Sequence, residues 1–109
     1  MKPPLNLFQD IPEAISKEVV VELLKSEPVR IERIVSQGQF SPHGFWYDQK
    51  EHEWVTVLSG KAVLQLEGQE KAVTLGPGDT LYLPPHQKHR VEWTDPLQPT
   101  VWLTVFWKS

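Results

Sequence analysis

The chain has no cysteine, a single methionine and no long apolar run, and each shortage removes a class of protein. Without cysteine there is neither a disulfide framework nor a thiolate nucleophile, which favours a reducing compartment. No stretch is apolar for long enough to cross a bilayer as a helix. The start, Met1-Lys2-Pro3-Pro4-Leu5-Asn6, lacks the apolar core of a signal peptide. A soluble, cytoplasmic protein is therefore expected. Basic excess is missing too: eleven Lys and Arg face fourteen Asp and Glu, for a net charge of −3. Neither nucleic acid nor an anionic membrane is an expected partner. With 109 residues the chain is one domain, without room for a second.

What is present is concentrated between Trp46 and Arg90, in the phrases WYDQKEHEWVTVLSG and GPGDTLYLPPHQKHRV. In the first, Glu53, Val55 and Val57 share one strand face, because successive side chains alternate. Ser59-Gly60 then supplies turn chemistry. Ala62, Leu64 and Leu66 resume the alternation, so the two runs read as a hairpin. In the second phrase Gly76-Pro77-Gly78-Asp79 is a turn signal before a strand at 80–83, and Pro84-Pro85 ends that strand. The chain restarts at His89, with Val91 and Trp93 on the same face. A carboxylate and an imidazole each head an apolar row, and the two converge if both rows line one barrel.

The rest of the chain extends this pattern. Pro12 to Ser16 can open one helical turn. Residues 18–25 are too short and too β-branched for a helix and read as a strand, and Val29 to Val35 as another. A Ser-, Gly- and Pro-rich turn covers 36–44. Further strands are expected at 45–47, 53–58, 62–67, 72–75, 80–83, 90–93 and 100–107. Short strands between turn signals predict an all-β sandwich or barrel.

Glu53, six residues, Gly60, and then Gly78, five residues, Pro84, four residues, His89 resemble the paired signature of the cupins. The resemblance covers about Val29 to Trp107. It implies a double-stranded β-helix, or jelly-roll barrel, as core over 29–107, with residues 1–28 as a short N-terminal extension packed on it. Cupins usually draw two histidines and a glutamate from the first motif and one histidine from the second, all for a divalent metal such as manganese, iron, nickel or zinc. On that pattern Glu53 and His89 are the matching ligands. The two first-motif histidines are missing, and their places fall on Tyr47 and Gln49 or on Trp46 and Asp48. Asp48 or Gln49 can add an oxygen donor, and His86 can swing in to restore a second imidazole. The remaining use for Glu53 and His89 is a bond to each other in a barrel without metal. No nucleotide cofactor is indicated.

Side-chain chemistry adds further candidates. His52 alternates outward from Glu53, and His43 sits in a turn. Five tryptophans with Tyr47 and Tyr82 are many for this length. Most serve the core, but Tyr82 and Trp93 are pocket candidates beside Tyr47, Asp48 and Gln49. Val29, Ile31 and Arg33 alternate to one side. Arg33 therefore either enters the barrel, where it favours an anionic ligand, or makes a rim salt bridge. Trp54, Leu58 and Trp102 are expected on an outward face that a homodimer buries. Two functions follow from these candidates: a barrel that binds a small molecule, or a metal-dependent oxygenase or isomerase acting on a small organic substrate.

Overall fold

The computed structural model describes residues 3–108, and they form eight β-strands with no helix. The strands are β1 (Val19–Ser26), β2 (Val29–Ser36), β3 (His52–Ser59), β4 (Ala62–Leu66), β5 (Val73–Leu75), β6 (Thr80–Leu83), β7 (His89–Thr94) and β8 (Thr100–Trp107). They build two antiparallel sheets, one in the order β1-β2-β8-β3-β6 and the other in the order β5-β4-β7. The expected all-β double-stranded β-helix is the fold observed.

Three local expectations are corrected. No helical turn forms at 12–16, where bends carry the chain into β1. Residues 45–47 are not a strand; Tyr47 alone makes an isolated antiparallel bridge to His89. The runs on either side of Gly60 are not a hairpin either. β3 pairs with β6 and β8, whereas β4 pairs with β5 and β7. Their apolar rows face each other across the core instead of lying side by side, so Val55, Val57, Ala62, Leu64 and Leu66 join one buried cluster. Fully burying such a side chain contributes about 1.5–3 kcal/mol, so the two-layer arrangement is strongly favoured over an isolated ribbon.

Gly60 makes the crossing between sheets. Its φ is +89°, and a Cβ built there would stand 2.5 Å from Thr100 Cα, so only glycine fits. The N-terminal extension is more than packing: β1 completes the five-stranded sheet at its edge, in register with β2 apart from a bulge between Glu22 and Leu24.

Candidate functional site

Alternation along β3 turns Glu53 inward, with Val55 and Val57 below it, while alternation from the start of β7 turns His89 inward. The two residues belong to different sheets. Their side chains meet across the interior, His89 Nε2 lying 3.5 Å from Glu53 Oε1. Both are buried, Glu53 at 8% exposure and His89 at 6%. The second ring nitrogen of His89, Nδ1, is 3.0 Å from the carbonyl oxygen of Gln87. A carbonyl can only accept, so Nδ1 carries the proton that is donated, and the ring is held with Nε2 toward Glu53. Burial pushes the His89 pKa down, but the contact with Glu53 and the Gln87 carbonyl outweigh it, leaving it above the ordinary 6.5.

The residues before β3 pass over this pair. Tyr47 exchanges backbone hydrogen bonds with His89, at 2.7 and 3.1 Å, and the Ser41 N–H donates to the Val91 carbonyl at 2.8 Å. These contacts tie the segment to β7. The Tyr47 ring then stacks on the His89 ring, centroids 5.4 Å apart. Gln49 Nε2 donates to Glu53 Oε1 at 2.8 Å. Burial, and then the charges of Glu18 and Glu53, raise the Tyr47 pKa above 10.0, so the phenol keeps its proton.

A cavity of about 280 Å³ opens above the pair. Its polar end is Glu53, His89, Tyr47 and Gln49. Its apolar wall includes Val55, Leu64, Leu83 and Val91, with Trp102 and Phe106 from β8. Arg30 and Glu32 line it from β2, and Glu18 and Val20 from the N-terminal side. Of the two placements open for the missing first-motif histidines, Tyr47 and Gln49 are the ones in the lining.

The remaining candidates stand elsewhere, for identifiable reasons. Asp48 Oδ1 and His86 Nδ1 pair with each other at 2.7 Å, outside the cavity lining, with the His86 side chain 65% exposed. Tyr82 lies opposite Trp54 in the β3–β6 ladder and shares its outward face, while its neighbour Leu83 turns inward opposite Glu53. Its hydroxyl meets His52 Nδ1 at 2.6 Å.

Trp93 is outward because of a bulge. Val63 pairs with Trp93 and Leu64 with Val91, so Glu92 is an extra residue that reverses the phase, and Trp93 is 39% exposed. Arg33 is not in the cavity lining, and among the described residues it pairs with no carboxylate. The cavity face of β2 is Arg30, Glu32 and Ile34, and Arg33, on the other face, donates to the carbonyls of Leu7 and Gln9. Trp102, expected outside, is 5% exposed and lines the cavity, its indole N–H donating to Ser36 Oγ at 3.2 Å.

A Cupin domain model matches residues 33–106, which span β2 to β8 and the whole of the Glu53–His89 pair. The chain belongs to the cupin family. No curated protein matches its sequence. Among solved structures, this cupin is similar to a protein of Ralstonia eutropha JMP134 named as a "putative mannose-6-phosphate isomerase". That likeness has 45% identity and a TM-score of 0.95, and it covers 99% of this chain and 100% of the other. It is similar in fold to a cupin superfamily protein of Desulfitobacterium hafniense DCB-2, with 19% identity, a TM-score of 0.79, and coverage of 100% and 94%. A Cupin 2 conserved barrel domain protein of Salinispora arenicola CNS-205 matches with 22% identity and a TM-score of 0.70, covering 100% and 91%.

Cupins commonly hold a divalent metal at this place, and the donor set here does not fit one. Among the described residues no group of three His, Asp or Glu side chains is placed to hold a metal ion. The Glu53 oxygen that faces His89 already accepts from Gln49. One imidazole, one carboxylate and an amide pointing its nitrogen inward fall short of the usual three-ligand minimum. The groups present can instead bind, orient and exchange a proton with an organic molecule.

Sequence reasoning missed Glu18, Arg30, Glu32, Trp102 and Phe106. The available signal was the polar row Arg30-Glu32 on β2, which marks a cavity wall here and a solvent face in an ordinary sheet.

Proposed function

We propose that this cupin binds a small organic molecule in the barrel cavity, with Glu53, His89, Tyr47 and Gln49 as the groups that fix its orientation. The carrying observation is the buried Glu53–His89 pair at the floor of a cavity with an apolar and aromatic wall and a charged side formed by Glu18, Arg30 and Glu32. A pocket of that composition binds by burying the ligand's apolar part and matching a few polar groups. No metal is required for that use. Homodimerisation is part of the proposal, supported by Trp54 and Tyr82 on the outward face of the larger sheet.

A second reading is an isomerase, supported by the name of the Ralstonia eutropha relative and by an acid–base pair that faces the cavity. In that role Glu53 or His89 would move a proton on a small carbonyl compound, with the protonated Tyr47 phenol as hydrogen-bond donor. The metal-dependent oxygenase has no support from the donor set. Screening small molecules by thermal shift, with Glu53→Gln as control, tests the binding reading. Hits that stabilise wild type but not Glu53→Gln are expected; hits indifferent to Glu53 would overturn it. Proton–deuterium exchange at carbon in any bound carbonyl compound would move the assignment to the isomerase.

A further inference from the structure

We infer that the cavity selects an organic cation, such as a substituted ammonium, and rejects phosphate esters; the inference rests on the cavity being the ligand site. Among the described residues three carboxylates line it, Glu18, Glu32 and Glu53, against one permanent cation, Arg30. That cation is already engaged. Arg30 pairs with Glu32, its Nη2 lies 2.7 Å from Glu51, and its guanidinium carbon sits 4.1 Å from the centroid of the Phe106 ring. His89, the other group able to carry positive charge, faces Glu53. Among the described residues no lysine contributes to the lining, and Arg33 is on the opposite face of β2.

A phosphate entering here would meet carboxylates without a free guanidinium or ammonium to bind it, and low-dielectric walls would strengthen the repulsion. A cation meets the reverse. Glu53 is nine-tenths buried, and only its Oε1 is engaged by Gln49 and His89; its Oε2 makes no hydrogen bond among the described residues. Trp102 and Tyr47 in the lining add aromatic surface, and an aromatic quadrupole attracts positive charge over the ring face. Glu18, at the rim, has its Oε2 2.7 Å from Ser36 Oγ, which holds the carboxylate beside the entrance.

The test compares ligands of one shape and different charge. Wild type is titrated by NMR with choline and with its uncharged isostere 3,3-dimethylbutan-1-ol, then with inorganic phosphate and mannose 6-phosphate. The indole N–H signal of Trp102 reports on the cavity. Choline is expected to bind at least about fivefold tighter than the isostere in low salt, with the gap narrowing as salt is added. Neither phosphate compound should move the Trp102 signal. Glu18→Gln should weaken choline and leave the isostere unchanged.

Equal affinity for choline and the isostere, tighter binding of mannose 6-phosphate, or choline binding that leaves the Trp102 signal in place would each overturn the charge selection while the cavity kept its role as a ligand site. If none of the four probes shifts the Trp102 signal at tens of millimolar, the cavity is not a ligand site for small molecules of this size, and both readings fall.

Discussion

His89 Nε2 and Glu53 Oε1, 3.5 Å apart, join two sheets that share no backbone ladder. The pair is therefore a tertiary cross-link as well as the polar floor of the cavity. Removing one partner leaves the other buried with a weaker set of contacts, at a cost of about 1–3 kcal/mol. Glu53→Gln should lower stability by that amount in urea unfolding while the protein stays folded. A neutral result would mean that the pair carries no net stabilisation.

The pH dependence has a definite sign. The folded pKa of His89 is raised above its ordinary 6.5, so its contribution is fully present below pH 6.5 and is lost as pH rises through the folded value. Wild type should lose stability over that window. His89→Gln should remove this component of the pH profile, read as the difference between the two unfolding free energies at each pH. A wild-type profile that rose relative to the variant would contradict the raised pKa.

Metal addition should do little. An ion held at a hundred times its Kd would add about 2.7 kcal/mol by mass action, and two converging donors do not provide such affinity. Manganese, nickel or zinc near neutral pH should leave Tm close to that of chelator-treated protein in differential scanning fluorimetry. A large rise that His89→Ala abolishes would establish a metal centre.

Arg33 should matter for the N-terminal segment and not for the cavity. Arg33→Met removes the donors that hold the Leu7 and Gln9 carbonyls. Faster amide exchange and proteolysis over residues 3–11 are expected, with cavity ligand affinity unchanged. Altered affinity without altered exchange would return Arg33 to the site.

The outer aromatic face predicts a homodimer in sedimentation experiments, and Trp54→Asp should shift it to monomer, since a buried charge without a partner is costly. A wild-type monomer at tens of micromolar would remove the interface.

Gly60→Ala should be among the most damaging single-methyl changes, because backbone and Thr100 close in on the missing Cβ. Gly68, with φ +87° and nothing within 4 Å of the corresponding Cβ, should cost only about 1 kcal/mol on the same change. Equal costs in urea unfolding would show that conformation alone, and not the close approach, keeps Gly60.

By itself the sequence determined the strands other than the one expected at 45–47, the change of direction at Gly60, the turn at Gly76 to Asp79, and the inward phase of Glu53 and His89. All of these follow from local alternation and backbone chemistry, which act over a few residues. What only the tertiary structure decided is which rows face which. The apolar row Val29-Ile31 looked like the core side of β2, yet Arg30 and Glu32 line the cavity, because a functional interior can be polar while a chain segment covers the outer face. One extra residue at Glu92 turned Trp93 outward. The pairing of β4 with β7 instead of β3, and the entry of Trp102 into the cavity, depend on contacts between distant parts of the chain, and no local period encodes those.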